Sequence, residues 1–397
     1  MQRFFHKDVL FSTLFVFLVM YLLKLFIFNI HFLDPIANAL KDFKFTDIYY
    51  SRLQDKKQGV DTNLVIVNIA YNNRKEIADQ IKLIESFGPA VIGLDITFEE
   101  SKGKESDSLL QAVLNKTDNV VLASYFEYND PHDDHISGYV RSAEKFRKNT
   151  VDGFINFPSL EEQSTIRRFT PEVEYHGENY YAFPVQIVKK YDEQAFEKLV
   201  ERDNKSEVIR YKGGEDRYIV FSPEEISPGN NSLNVVQNKI VLLGFLGVEN
   251  QGRILEDIHF TPLNHKYSGR TYPDMYGVTI HANIISTILE GRYVNKMPLW
   301  LGLLISFVIL YVNMYFFIRY YVHMHVWYHL FAKMAQLVIS VIIVGIELWL
   351  YASFRYKINT AIIIVPIILS IDVLYVYDGL VKFLKKKFNY KTWLSEH

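Results

Sequence analysis

The apolar residues of this chain are segregated into four long runs, and those runs decide what it can fold into. Val9–Ile30 carries one charge, Lys24. Pro298–Ile318 carries none, Phe331–Ala352 holds Lys333 and Glu347, and Ile358–Tyr377 holds Asp372. At ~1.5 Å per residue, about 20 residues cross the ~30 Å hydrocarbon core of a bilayer. Backbone in lipid must bond to itself, so four transmembrane α-helices are expected. The alternative, a buried helix of a soluble core, rarely runs this far without a polar break. The first run has a second alternative, a cleaved signal peptide with Ala37-Asn38-Ala39 as its cleavage triplet. Its apolar stretch exceeds the ~7–15 residues of a signal core and the triplet lies well past its end, so retention as an anchor is favoured.

Lys and Arg in short flanks set orientation. Arg3 and Lys7, then Arg319, then Lys382, Lys385, Lys386, Lys387 and Lys391 fall on one side of a four-span layout, and that side is expected to be the cytoplasm. Arg355 and Lys357 argue mildly the other way. The resulting expectation is a bacterial inner-membrane protein with a cytoplasmic tail (1–8), a first span (9–30) and a large extracytoplasmic domain (31–297). A second span (298–318), a cytoplasmic loop (319–330), a third span (331–352), a short external loop (353–357), a fourth span (358–377) and a basic cytoplasmic tail (378–397) follow.

Net charge is −2 and no aromatic-basic stripe appears, which argues against nucleic acid as a partner. Absence of cysteine excludes disulfides, thiolate metal ligands and thiol nucleophiles.

The middle of the chain reads as a folded α/β domain. Asn63–Ala70, Ala90–Phe98 and Asn119–Phe126 are apolar throughout, and they alternate with helical patterns at Arg74–Phe87 and Asp107–Leu114. Strands without polar alternation indicate a mostly parallel sheet covered on both faces, with a β-α-β-α-β start. Asp107 is placed to cap its helix. Lys239–Leu243 is a further buried strand, Thr279–Leu289 a helix, and Glu127–Thr150 a polar surface excursion. Val208–Tyr211 and Tyr218–Phe221 are positioned to form a hairpin around Gly213-Gly214.

Two sets of residues carry a family resemblance. One is Gly93-Leu-Asp95-Ile-Thr-Phe98, then Asp107-Ser-Leu-Leu-Gln-Ala, then Asn119-Val-Val-Leu-Ala. The other is Asn238-Lys-Ile-Val-Leu-Leu-Gly244, then Asp257-Ile-His-Phe-Thr261-Pro262, then Gly277-Val-Thr-Ile-His281-Ala-Asn283, ending in Ile288-Leu-Glu-Gly291. Together they resemble the second type of the CHASE domain, a sensory extracellular domain associated with bacterial cyclases and histidine kinases. The layout of one span, the domain and three further spans is also similar, so the resemblance runs from about Val9 to Tyr377. It implies sensing. Members often carry an output domain after the last span, whereas this sequence stops at His397, so the signal is expected to pass to a separate protein. Tyr272–Tyr276 also departs from the Pro-Gly-Val form of the family at this point.

Asp95 follows an apolar strand, at the sheet edge where ligands of open α/β sheets sit. Asp257, Thr261, His281 and Asn283 come from the second set and are ligand-binding candidates beside it. Asp and His together suit proton transfer or metal binding. The plainer reading makes them a structural network. Gly244-Phe-Leu-Gly247 lacks the third glycine of a phosphate loop. His132, Asp133, Asp134 and His135 have metal-ligand chemistry but sit in a polar excursion, and His323, His325 and His329 fit an aromatic interfacial belt. No metal or cofactor is expected, and no nucleophile motif points to an enzyme.

Ionisable groups in lipid face a partner or a cavity. Lys24 and Glu347 fall at depths within about 2 Å of one another, and Asn313 and Asp372 share the inner half. A Lys24–Glu347 pair and an Asn313–Asp372 contact are therefore expected, with independent snorkelling as the alternative. The function expected is an envelope sensor or adaptor acting through a membrane-protein partner. The alternative is a structural or docking subunit of a larger membrane complex. The basic C-terminus suits anionic lipid, and self-association is open.

Overall fold

The computed structural model describes residues 6–27, 45–50, 59–129, 135–158, 165–248, 257–264, 272–323, 328–388 and 391–394. They divide into two units, Asp47–Val294 and a second made of Met1–Thr46 with Asn295–His397.

In the second unit, α1 (Lys7–Ile27) precedes the α/β domain in the chain. The domain contains β1 (Leu64–Asn68), α2 (Arg74–Glu85), β2 (Val91–Leu94), α3 (Lys104–Leu114), β3 (Val120–Tyr128), β4 (Ile136–Val140) and β5 (Val151–Phe154). Short strands β6 (Arg168–Phe169), β7 (Glu172–Tyr175) and β8 (Glu178–Tyr181) lead to α4 (Phe183–Tyr191) and α5 (Glu193–Val200). Then come β9 (Glu207–Val208), β10 (Ile219–Phe221), β11 (Ile240–Gly244), β12 (Ile258–His259), β13 (Met275–Tyr276) and α6 (Gly277–Leu289).

The main sheet runs β10-β1-β11-β2-β3, and β3 ends the row by pairing β5 in parallel and β4 antiparallel. Every other pairing in it is parallel. Residues of β1, β2 and β11 are buried without exception, because helices cover both faces. Side chains alternate across the pleat. Val65, Val67, Ile92, Leu94, Val241 and Leu243 pack with Ile77, Ile81 and Ile84 of α2 and Leu110 and Leu114 of α3. On the opposite face lie α4 and α6. That second layer needs close approach. A Cβ at Gly93 would sit 2.6 Å from Ile187 Cδ1, and one at Gly153 2.6 Å from Phe183 Cα.

Three local expectations change. β10 pairs with β1 in parallel and β9 pairs with β6, so no hairpin forms around Gly213-Gly214. The two segments are drawn apart because the edge of a parallel sheet offers Ile219–Phe221 a longer apolar row than a local partner could. Asp107 does not cap α3, whose N-cap position is Gly103. Its carboxylate is instead buried between Arg74 and Lys145, bonded to both and to Ser101, and these partners hold its pKa far below the carboxylate range. The polar excursion contributes β4 to the sheet.

Three helices follow in the other unit: α7 (Leu299–His323), α8 (Tyr328–Phe354) and α9 (Thr360–Phe388). Segments Leu299–Tyr320, His329–Phe354 and Thr360–Phe388 are long enough to cross a membrane, each with a mean hydropathy of 2.2. α9 runs well past residue 377, where the fourth span was expected to end. Val9 and Val16 of α1 are fully buried against Leu310 and Met314 of α7 and Ile371 and Leu374 of α9. Asp8 is buried at the start of α1, where it accepts hydrogen bonds from Thr392 Oγ1 (2.9 Å) and the Trp393 N–H (2.6 Å).

Polar groups in this bundle have specific partners. Pro366 lies inside α9 and has no N–H, so the Ile362 carbonyl loses its helical donor. Ser306 Oγ of α7 donates to that carbonyl at 2.8 Å. Gln336 Nε2 of α8 donates to the Ile367 carbonyl at 2.6 Å. Asn313 Nδ2 donates to its own helix at Ile309 O, and Asp372 pairs with Lys333 at 2.9 Å. The expected Asn313–Asp372 contact is thus replaced by other partners. Hydropathy gives depth but not the rotation of each helix about its axis, which puts Lys333 rather than Asn313 beside Asp372. Glu347 accepts a hydrogen bond from Thr360 Oγ1 at the start of α9. The side chain of Lys24 lies outside the described residues, as do His132, Asp133, Asp134 and His325. His329 stacks on Tyr375.

Candidate functional site

Asp95 is the first residue beyond β2, and its N–H donates to the Leu243 carbonyl of β11 at 2.9 Å. It therefore stands at the C-terminal edge of the parallel sheet. The loop after β11 is held on the same edge by Asn68 at the end of β1. Asn68 Nδ2 donates to Gly247 O (2.9 Å), and Asn68 Oδ1 accepts from the Leu246 N–H (3.0 Å). Gly247 has φ +80, and a Cβ there would meet the Tyr276 hydroxyl at 2.6 Å. The glycine pair thus serves a turn and a close approach.

The second arm of the site comes from the β12–β13 ladder, in which Ile258 faces Tyr276 and His259 faces Met275. The ladder ends where α6 begins, and the Gly277 N–H donates to the Asp257 carbonyl at 3.0 Å. Asp257 takes a left-handed backbone, φ 52, which Asp tolerates better than most residues. Its carboxylate lies over Gly277, where any Cβ would come within 2.8 Å of Oδ1. His259 Nε2 lies 3.3 Å from Asp257 Oδ1. One turn into α6, the His281 ring stacks on Phe157 (4.9 Å between centroids) and meets Phe183 edge-on at 5.3 Å. Phe157 also meets His259 edge-on at 5.3 Å, so one aromatic ring separates the two imidazoles.

Electrostatics follow from this packing. Burial drives the Asp95 pKa well above the usual carboxylate value, and the charge of Asp257 adds to the effect. The carboxyl thus keeps its proton to higher pH than an exposed carboxyl does. Burial pushes His281 down to about 3, with a smaller effect from His259, so its imidazole is neutral at physiological pH. His281 is 3% exposed, and its Nδ1 has no hydrogen-bond partner among the described residues.

Asp95, Asp257 and His281 therefore come together, whereas Thr261 and Asn283 are occupied elsewhere. The Thr261 N–H donates to Asp274 Oδ1 (2.8 Å), and Thr261 Oγ1 donates to Asp274 Oδ2. Asn283 accepts from the Lys212 N–H (2.7 Å) and donates to Gly213 O (3.0 Å) and Thr279 O (2.9 Å). Both pin loops to the domain. His259 and Phe157 join the site without having been singled out from the sequence. His259 had a usable signal, because a spacing of two from Asp257 puts both on one side of an extended segment. Phe157 had none. Among the described residues, no group of three or more His, Asp and Glu side chains is arranged to hold a metal ion.

The sheet, its covered faces and this edge are the setting in which the family can be read. A sequence profile of the CHASE2 domain matches residues 20–315, about three quarters of the chain. The chain belongs to the CHASE2 domain family. CHASE2 domains are sensory and extracellular in type, which agrees with the α/β domain and the membrane-length helices after it. No match was found among curated proteins or among solved structures. The CHASE2 profile spans Asp95, Asp257, His259 and His281 and ends within α7.

Proposed function

We infer that this CHASE2 protein is a sensor, not an enzyme, and that its α/β domain faces the outside of a bacterial inner membrane. It reads a small polar ligand at the edge formed by Asp95, Asp257, His259 and His281. The observation that carries this reading is the family membership together with a cluster of titratable groups at the open sheet edge. Asp95 with its raised carboxyl pKa, a His281 Nδ1 without a partner among the described residues and the half-exposed Asp257–His259 pair supply polar groups for a ligand.

The output route starts at α6. From Gly277 to Ile288 every residue of this helix is buried, so it moves with the domain core rather than alone. His281, one turn into α6, belongs to the site, and the chain reaches α7 ten residues after α6 ends. A ligand that draws Asp257 and His259 together displaces the start of α6, and packed helices convert such small shifts into discrete rearrangements. α1 serves as the fourth span, and the helices pass the signal to a membrane-protein partner.

The test is a thermal-shift screen of the full chain in detergent against fractionated small molecules. Fractions that raise the melting temperature of wild type but not of His259→Ala, with the ligand recovered chemically unchanged, support a sensor. Equal shifts in both proteins remove the site, and recovery of a converted product makes the domain an enzyme.

A further inference from the structure

A groove of about 700 Å³ runs along α2 and is lined by none of the residues of the site described above. Its walls are Glu76, Asp79, Gln80 and Lys82 of α2, and Glu224 and Ile226 from the turn after β10. The volume is within the range of sites that hold small ligands. Its opposite wall is stiff, because Pro223 opens a short helical turn whose ends are tied by a reciprocal Ser222–Glu225 capping pair.

Gln80 is the unusual member. It is 5% exposed, it lines the groove, and neither its Oε1 nor its Nε2 has a hydrogen-bond partner among the described residues. Buried amides are normally bonded, and the buried residues nearest it on α2, Ile77, Ile81 and Ile84, are aliphatic. A leucine would satisfy the helix better. An amide kept here is suited to a ligand that offers one donor and one acceptor side by side, which is what a peptide main chain provides. The rim adds a second preference. Glu76, Asp79 and Glu224 outnumber Lys82, so the entrance is acidic. Glu76 also accepts from the Asn73 N–H at 2.7 Å, which fixes it in place.

We propose that this groove binds a short basic peptide segment, whose main-chain amide pairs with Gln80 and whose cationic side chains meet Asp79 and Glu224. Aliphatic stems of lysine lie against Leu83 and Ile226. The proposal is independent of the ligand site around Asp95, since the two share no residue, so either can fail alone.

Isothermal titration calorimetry on the full chain in non-ionic detergent tests it, with acetyl-Lys-Gly-Lys-Gly-Lys-amide as probe. Wild type binds the peptide, and binding weakens as salt is added. Gln80→Leu lowers affinity roughly tenfold or more, the loss of two paired hydrogen bonds. Glu224→Lys lowers it by at least as much. Gln80→Leu also melts at or above the wild-type temperature, because it removes polar atoms that have no internal partner. No binding by wild type, affinity of Gln80→Leu within twofold of wild type, or spermidine binding as tightly as the peptide each overturn the proposal. So does a lowered melting temperature of Gln80→Leu, which would mean that the amide is structural.

Discussion

His281→Phe separates the electrostatic account of the site from its packing. A phenyl ring fits between Phe157 and Phe183, where the imidazole already makes aromatic contacts at 4.9 and 5.3 Å. What the substitution removes is a titration. In the unfolded chain the imidazole takes up a proton near pH 6.5, and in the folded domain burial delays this to about 3. Between those values the unfolded state binds more protons, so stability is complete above pH 6.5 and is lost as pH falls toward 3. With one pKa unit equal to about 1.4 kcal/mol, moving from pH 7 to pH 5 costs wild type about 2 kcal/mol through this residue. Asp95 acts with the opposite sign. Its folded pKa is raised, so its contribution declines as pH rises above the ordinary carboxylate value. Because Asp95 is present in both proteins, comparing them at each pH cancels it. All four tryptophans lie outside Asp47–Val294 and cannot report on this domain, so urea pulse proteolysis of the full chain in detergent is the suitable assay. The variant should gain about 2 kcal/mol on wild type between pH 7 and pH 5. Parallel stabilities at the two pH values would refute a buried neutral imidazole.

In the bundle, Ser306→Ala should destabilise by about 1 kcal/mol by orphaning the Ile362 carbonyl, and Pro366→Ala should rescue it by restoring the helical donor. Additive losses in a double-mutant cycle would deny that coupling. Gly153→Ala should cost about 1–3 kcal/mol, because its Cβ would press on the Phe183 backbone, which cannot swing aside. A proteolysis midpoint unchanged from wild type would show that α4 yields.

The elements legible in the sequence were those that carry long apolar runs. β1, β2, β11 and the first half of β3 are dominated by such runs, and α7–α9 stand out by length. β11 is the central strand, inserted between β1 and β2 although it lies far along the chain, and no local pattern encodes that order. β10 was misread because three residues after a pair of glycines look like half of a hairpin until the β1 edge is known to be free. At the candidate site, residue chemistry named Asp95, Asp257 and His281, which the fold gathers, but could not separate them from internally satisfied groups. Thr261 and Asn283 are as polar as Asp257, and only the bonds to Asp274, Lys212 and Gly213 show that they are occupied. Inside the bundle the depth of Asp372 was readable but its neighbour was not, because an apolar run does not encode whether Asp372 faces Asn313 on α7 or Lys333 on α8.

Sidedness is the claim on which the sensing account depends, and the absence of native cysteine makes it directly measurable. Tyr272→Cys places a thiol on an exposed position of the α/β domain, and Lys386→Cys places one near the end of α9. In intact cells whose outer barrier has been permeabilised, a membrane-impermeant maleimide should label the thiol at 272 at once and the thiol at 386 only after the inner membrane is lysed. Labelling of 386 but not 272 in unlysed cells would put the CHASE2 domain in the cytoplasm and contradict the account.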